Sequence, residues 1–315
     1  MPTSDYQTAP PSVVPGTGSL VALRYLGRDM KYFPRLAPTA RRSGGHHARA
    51  RGRGMDFDEV RPYQPGDDAR AIDWRVTAKT TKPHTKLYRE ERERPLILIV
   101  DLRLPMLFGS ARSKSVAASE IAAALAWAGC ARGDRVGALV FGAGGQQDIR
   151  ARQGHQNVLR LINVLANTSA SLLAADVTQE TTLQDMIEEA RRIAHPGATV
   201  AIVSDFHDFT RDCESPLFAI AQHCDLNMCR IYDELDEHLP APGRYSVTNG
   251  RQQAVLDTRQ VRVRRSFEQT QQRTVQELSK AVSRLQATFL DYRTDQNVAQ
   301  CLRHYYGSRI RGRRR

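Results

Sequence analysis

The run Leu96-Ile-Leu-Ile-Val100, which ends on Asp101, constrains the fold of this chain more than any other segment. An unbroken aliphatic run predicts a strand buried on both faces, because a strand with one solvated face alternates apolar and polar side chains. Such strands occur in parallel sheets that helices cover on both sides. We therefore expect an α/β protein with a mostly parallel, Rossmann-like sheet.

The rest of the chain alternates between strand-like and helix-like patterns, which supports the same architecture. Strand patterns occupy residues 96–101, 135–141, 199–204, 226–231 and 288–292. Helical patterns occupy residues 114–132, 155–165, 183–194, 217–223, 266–286 and 295–304. The pair Asn249-Gly250 favours a tight turn, so a hairpin excursion is expected near residues 243–257.

A second informative segment precedes the first buried strand. It places ionisable and aromatic residues around a Pro-Gly turn, in the order Arg61, Tyr63, Pro65, Gly66, Asp67, Asp68, Arg70, Asp73 and Trp74. Carboxylates and guanidiniums at this density can form bidentate pairs that hold a loop in one conformation. The alternative is a solvated loop, since exposed ion pairs contribute only about 0–1 kcal/mol each.

Together with Gly54, Asp56, Phe57 and Ile72, this order resembles the signature of the bacterial family called domain of unknown function 58. The resemblance covers residues 54–306 and is most specific across residues 54–74. It implies an irregular segment with short strands, followed by a von Willebrand factor A-like domain. Relatives are commonly encoded next to MoxR-type AAA+ ATPases, so the resemblance also implies such an ATPase as a partner.

Many von Willebrand A-like domains hold Mg²⁺ at the end of their first strand, through oxygen ligands from Asp-x-Ser-x-Ser, a threonine and a later aspartate. The matching positions here are Asp101, Arg103, Pro105, Thr181 (or Thr182) and Asp205. Arginine and proline replace the two hydroxyl ligands, and a guanidinium can neutralise two acids in a fork. We expect a degenerate site, without Mg²⁺, in which Arg103 lies between Asp101 and Asp205. The alternatives are that Arg103 points to solvent, or that Asp101, Asp205 and Thr181 bind a metal.

The net charge of +12 comes from the two ends of the chain, where residues 41–53 and 309–315 are basic and contain no acid. We expect a flexible basic leader over residues 1–53 with one short helix near 19–30, and a basic tail over residues 307–315. Between them lie the signature segment, residues 54–95, and the von Willebrand A-like domain, residues 96–306. The end of the signature segment, near residues 86–94, is expected to be an edge strand of the main sheet.

No catalytic motif is evident in the sequence. The segment Gly109-Ser-Ala-Arg-Ser-Lys114-Ser115 follows a strand and opens a helix, as a phosphate-binding loop does, but it lacks the second glycine. The five cysteines show no C-x-x-C spacing and are expected to be reduced thiols. With no signal peptide and no apolar run long enough to span a bilayer, the chain is expected to be cytoplasmic.

The predicted function is therefore a non-enzymatic interaction or scaffold protein that works with a MoxR-type AAA+ ATPase in maturing or assembling other proteins. Leu104 and Leu107 supply apolar surface in the loop after the first buried strand, and we expect them to contact the partner at the carboxyl ends of the strands, with the signature segment close by. The alternative for these two side chains is that they pack beneath the N-terminal segment. The alternative is an accessory protein whose basic arms bind nucleic acid or an anionic membrane surface.

Overall fold

The computed structural model describes residues 12–30, 55–64, 72–80, 82–90, 95–174, 181–248 and 253–306, and divides the chain into two compact units. The larger unit comprises Met1–Leu36 and Arg94–Arg315, and the smaller unit comprises Ala37–Glu93. In chain order the strands are β1 (Met55–Pro62), β2 (His84–Glu90), β3 (Leu96–Leu102), β4 (Val136–Gly142), β5 (Gly145–Arg152), β6 (Thr199–Ser204), β7 (Asp225–Tyr232), β8 (Arg244–Thr248), β9 (Gln253–Asp257) and β10 (Thr288–Arg293). The α-helices are α1 (Thr17–Ala22), α2 (Arg24–Asp29), α3 (Trp74–Thr80), α4 (Lys114–Ala131), α5 (His155–Ser171), α6 (Leu183–Ile193), α7 (Glu214–Ala221), α8 (Glu234–Glu237), α9 (Val261–Leu285) and α10 (Val298–Tyr306).

The larger unit is built on a six-stranded sheet with the order β10-β7-β6-β3-β4-β5. All neighbouring strands in it are parallel except β4 and β5, so the predicted mostly parallel α/β sheet is confirmed. The central strand β3 is buried along its whole length, as its apolar run predicted. Its side chains alternate between two cores, with Leu98 and Val100 in one and Ile97 and Ile99 in the other.

Helices cover both faces of the sheet, because each face is apolar and must be removed from water. The first core contains α4, α5 and α10, and the second contains α6, α7 and α9. The expected hairpin is also present, as the separate antiparallel pair β8–β9.

The short helix predicted near residues 19–30 is present, although it is divided in two. These residues form two short helices, with Leu23 between them, instead of one, and Leu20, Leu26 and Met30 are buried in the first core. Burying a side chain of this size contributes roughly 1.5–3 kcal/mol, so these residues belong to the core and not to a flexible leader. The packing is close: a Cβ added to Gly27 would lie 2.7 Å from the backbone of Trp127 in α4. The remainder of the leader, residues 1–11 and 31–53, and the tail, residues 307–315, lie outside the described residues.

Strand β5 was not predicted. It pairs antiparallel with β4 at the edge of the sheet, and within it only Ile149 is buried. An edge strand that contributes one residue to the core has no apolar periodicity for a sequence analysis to detect.

In the smaller unit, β1 and β2 form a two-stranded antiparallel sheet, and α3 precedes β2. The expectation that residues near 86–94 join the main sheet is therefore wrong for β2. Strand β2 instead finds its partner in β1, the preceding strand of its own unit.

Candidate functional site

The carboxyl ends of β3, β6 and β7 bring three loops to one edge of the sheet, where the segment that precedes α6 joins them. We call this edge the carboxyl-end crevice and define it by residues 103–114, 181–182, 205–208 and 233–236. The first loop contains a 3-10 turn, Leu104–Leu107, with Pro105 at its second position. In open α/β sheets, ligands and partners bind outside the carboxyl ends of the strands.

Arg103 lies at the centre of the crevice and bridges two aspartates. Its Nε and Nη2 donate to Asp101 Oδ1 and Oδ2 at 2.9 Å and 2.8 Å. Its Nη1 and Nη2 donate to Asp208 Oδ2 and Oδ1 at 2.7 Å and 3.0 Å, and Nη1 also donates to the carbonyl of Thr181 at 2.8 Å. A guanidinium has five N–H donors, so all of the donors of Arg103 are used.

The predicted pair Arg103–Asp205 is not present, because the second acid bound by Arg103 is Asp208. Arg103 does reach Asp101, which also accepts hydrogen bonds from Ser204 Oγ at 2.7 Å and from the backbone N–H of Arg103 at 3.0 Å. Thr181 contributes its carbonyl oxygen to Arg103. The hydroxyl of Thr182 instead caps α6 by accepting from the N–H of Asp185.

Asp205 pairs with Lys114, the first residue of α4. Lys114 Nζ donates to Asp205 Oδ2 at 2.7 Å and lies 3.2 Å from Asp236 Oδ2, and Lys114 is only 3% exposed. Sequence analysis did not identify Lys114 as a site residue. The available signal is that a lysine opens the helix after the first buried strand.

His207 lies between the two ion pairs. Its Nδ1 is 2.8 Å from Asp205 Oδ1 and 3.7 Å from Asp208 Oδ1. Burial lowers the pKa of His207, but the hydrogen bond with Asp205 and the charges of Asp205 and Asp208 outweigh burial and raise it above its usual value. The protonated imidazole is therefore favoured in this position.

The charges of the crevice hold one another ionised. Burial raises the pKa of Asp205 and of Asp208, but the charge of Lys114 on Asp205 and the hydrogen bond from Arg103 to Asp208 overcome it, so both pKa values lie below the usual range. Burial alone would lower the pKa of Lys114, yet Asp205 and Asp236 raise it. Asp205 is thus a poor proton acceptor and Lys114 a poor nucleophile at neutral pH.

A third aspartate, Asp233, fixes the rim of the crevice. The N–H and Oγ of Ser110 donate to its Oδ2 at 2.9 Å and 3.0 Å, and Thr294 Oγ1 donates to the same oxygen at 2.6 Å. Next to Ser110, Arg112 pairs with Glu120 at 2.6 Å and donates to the carbonyl of Thr294. These contacts tie the loop after β3 to the ends of β7 and β10.

The apolar residues of the loop after β3 divide into two groups. Leu102 and Met106 belong to the first core, whereas Leu104 and Leu107 are half-buried. Phe108 is 46% exposed, and Lys114 Nζ lies 5.7 Å from the centre of its ring. The exposed apolar surface expected at Leu104 and Leu107 is therefore largest at Phe108.

Comparison with known proteins places the chain in a family. The family model described as "Protein of unknown function DUF58" matches residues 59–277. The chain belongs to the DUF58 family. This confirms the resemblance carried by the signature residues.

Uncharacterized proteins of Mycobacterium tuberculosis and Mycobacterium bovis are 33% identical to this DUF58 chain over 204 residues, which is 64% of the chain and 62% of either relative. The match thus spans less than two thirds of the relatives' length.

Two solved structures are more distantly similar. The conserved hypothetical protein BatB from Bacteroides thetaiotaomicron is 16% identical with a TM-score of 0.38, over 68% of this chain and 100% of its own. An aerotolerance-related membrane protein from Bacteroides fragilis is 13% identical with a TM-score of 0.39, over 67% of this chain and 96% of its own. At this level of similarity neither structure bears on the function of the DUF58 chain. No described helix of the chain combines the length and apolarity needed to cross a membrane.

The crevice of this DUF58 chain does not fit a divalent cation between its acids. A hard cation requires several oxygen ligands with free lone pairs, whereas here Arg103 directs N–H donors at both carboxylates and Pro105 has no oxygen in its side chain. Within the described ranges, no three His, Cys, Asp or Glu side chains are grouped so that they could hold a metal ion.

The signature residues lie in the smaller unit, and only some of them are described. Asp73 caps α3, since its Oδ1 accepts from the N–H groups of Arg75 at 3.0 Å and Val76 at 3.2 Å. Arg61 donates to the carbonyl of Pro62, the N–H of Tyr63 donates to Pro83, and the side chain of Trp74 is exposed. The predicted residues Pro65, Gly66, Asp67, Asp68 and Arg70 lie outside the described residues.

Proposed function

We propose that this DUF58 protein is a non-enzymatic, cytoplasmic interaction protein that binds a protein partner at the carboxyl-end crevice. The partner is a MoxR-type AAA+ ATPase, and together they mature or assemble other proteins. The observation that supports this most is the contrast within the crevice. Its charged groups are bonded to one another, while apolar side chains beside them remain open to solvent.

The charged groups support a structural role more than a catalytic one. Arg103 has no free N–H with which to bind a substrate anion, and Lys114 is held between two carboxylates. The cavity beside Lys114, Asp205 and His207 has a volume of only about 60 Å³. Since a water molecule occupies about 30 Å³ in the liquid, this space suits water and not a substrate or cofactor of ordinary size.

The apolar groups support protein binding. The 3-10 turn Leu104–Leu107 contacts the short 3-10 turn Leu172–Ala174 at the end of α5. Phe108 and Leu173 are 46% and 42% exposed, and half-buried Leu104 and Leu107 accompany them. An exposed aromatic ring that a partner can bury is a typical anchor of a protein interface, and here the charged frame lies beside it. Binding costs no further side-chain entropy in this frame, because hydrogen bonds already hold its charged side chains in one conformation.

The experiment is a binding assay between the purified chain and the MoxR-type ATPase of the same organism, in the presence of ATP and of ADP. Phe108→Ser is preferred to substitution of the half-buried leucines, because an exposed ring can be removed without opening a cavity in the core. Phe218→Ser is the matched control, since Phe218 is an exposed phenylalanine on α7.

We expect Phe108→Ser to abolish binding at an unchanged melting temperature and Phe218→Ser to bind normally. Equal binding by wild type and Phe108→Ser would show that the crevice is not the interface. Loss of most of the affinity on a modest rise in salt would favour the basic-arm alternative, since counterion release makes such binding steeply salt-dependent.

A further inference from the structure

Strand β5 is the outer strand of the six-stranded sheet. It pairs with β4 alone, and among the described residues no strand lies on its other edge. An edge strand presents a row of backbone N–H and C=O groups, and an extended peptide can add to such an edge as a further strand. Except for Ile149 the side chains of β5 are exposed or only partly buried, so nothing in the described core covers it.

Three arginines lie beside this edge with a single carboxylate among them, so the groove carries a net positive charge. Arg150 and Arg152 of β5 and Arg160 of α5 line an open groove of about 390 Å³ with Asp148 and Asn157. Within the described chain, the side chains of these three arginines form no ion pair and no hydrogen bond. Asp148, the one carboxylate of the groove, accepts a hydrogen bond from Gln146 at 2.5 Å. We call this feature the arginine groove.

The backbone of the arginine groove is fixed by a β-bulge. The register of β4 and β5 shifts between Val136 and Ala138, and a Cβ on the intervening Gly137 would lie 2.9 Å from the backbone nitrogen of Ala151. Buried Asn157 donates from Nδ2 to the carbonyl of Val136 at 2.6 Å and to that of Arg150 at 3.2 Å. Bulges re-aim side chains at sheet edges, and here the bulge lies between the two arginines of β5.

The groove gathers three exposed arginines that have no ion pair in the part of the chain that the structure describes. Elsewhere in the larger unit, Arg103, Arg112 and Arg230 each pair with at least one carboxylate. Like charges held close together repel one another, and the first turn of α5 adds the positive end of a helix without an acidic residue. An anionic group entering the groove would relieve this repulsion and could bind the guanidiniums in a bidentate geometry.

We infer that the edge of β5 and the arginine groove bind an acidic, extended segment of a partner protein. The segment adds to the sheet as a strand beside β5 and places alternate carboxylates against Arg150, Arg152 and Arg160. A peptide uses both features of the surface, because its backbone bonds the free edge while its acids enter the groove. Phosphate or nucleic acid would use only the arginines. This site is separate from the carboxyl-end crevice and does not rest on the function proposed for it.

The test uses the full chain and a fluorescent eight-residue peptide of alternating Glu and Val, with binding followed by fluorescence anisotropy. We expect the double variant Arg150→Glu/Arg152→Glu to weaken binding by at least about tenfold. The matched control is Arg262→Glu/Arg265→Glu, which reverses two exposed arginines on α9 and should bind as wild type. If the double variant fails to fold, Arg160→Glu on the surface of α5 replaces it, with a weaker loss expected.

Two further probes separate strand addition from simple anion binding. The same peptide carrying N-methyl groups on every backbone nitrogen keeps its charge but has no N–H with which to pair as a strand, and it should lose most of its affinity. Equal binding of the methylated peptide, or tighter binding of single-stranded DNA that depends on Arg150 and Arg152, would overturn the inference. Phe108→Ser should bind the peptide normally, so failure at the crevice and failure at the arginine groove are distinguishable.

Discussion

Arg103 and Asp208, which are 105 residues apart, are joined by two hydrogen bonds, Nη1 to Oδ2 at 2.7 Å and Nη2 to Oδ1 at 3.0 Å. Because Arg103 also binds Asp101 at the end of β3, this contact holds the loop after β6 against the loop after β3. Asp208 further accepts from the N–H of Leu183 at 2.9 Å, which brings the start of α6 into the same assembly. The crevice is thus a set of loops held together by charge.

Arg103→Ser should destabilise the larger unit by about 3–5 kcal/mol, because it leaves two buried or half-buried carboxylates without their cation. Urea unfolding in chelator measures the loss. The matched control is Arg284→Ser, which breaks an exposed pair with Glu214 and should cost less than about 1 kcal/mol. Mg²⁺ should recover part of the loss in Arg103→Ser, where a hydroxyl returns beside the acids, and leave wild type unchanged. Equal stability of Arg103→Ser and wild type would show that the guanidinium does not stabilise the crevice.

Lys114 and Asp205 should be strongly coupled in a double-mutant cycle. Lys114→Met alone leaves the buried carboxylate of Asp205 without its principal cation and should cost about 3–5 kcal/mol. The double variant Lys114→Met/Asp205→Asn should cost less than the sum of the single variants by about 1–3 kcal/mol, because it removes both charges. Unfolding free energies of the four proteins test this, and additive losses would contradict the pairing.

His207 should stabilise the fold more at low pH than at high pH. Its folded-state pKa is raised by Asp205 and Asp208, so its contribution is complete below the unfolded value of about 6.5 and is lost as the pH rises through the folded value. His207→Gln should therefore be more destabilising at about pH 5.5 than at about pH 9, while Asp205 remains ionised throughout this range. Urea titrations at the two pH values measure the difference. A loss that does not vary with pH would mean that the imidazolium makes no favourable contact.

Asp73→Ala should destabilise α3 by about 1 kcal/mol, the usual cost of removing a helix-capping side chain. Asp73→Asn, which keeps an oxygen for the cap, should lose much less. Amide hydrogen exchange of Arg75 and Val76 reports on the cap itself, and urea unfolding of the smaller unit reports on its stability. A loss of several kcal/mol would instead support the network of ion pairs that the signature residues suggest.

The sequence by itself determined the architecture of the larger unit. The buried run of β3, the helices α4, α6 and α9 and the final strand β10 were all predicted within about five residues of their observed bounds. These features are local, since a strand or helix buried on a known face must repeat apolar residues with the period of its own backbone. The family was also evident from the order of the residues around the Pro-Gly turn.

Only the tertiary structure decided which charges meet. The loop after β6 offers Asp205, His207 and Asp208 within four positions, and no pattern in the sequence shows which of the two acids faces Arg103. The choice depends on side-chain directions and on Lys114, which the helix α4 brings to the other side of Asp205. The same reason applies to the pairing of the edge strand β5 and to the packing of helices α1 and α2 on the core. Their few buried residues gain their stability from neighbours distant in the chain.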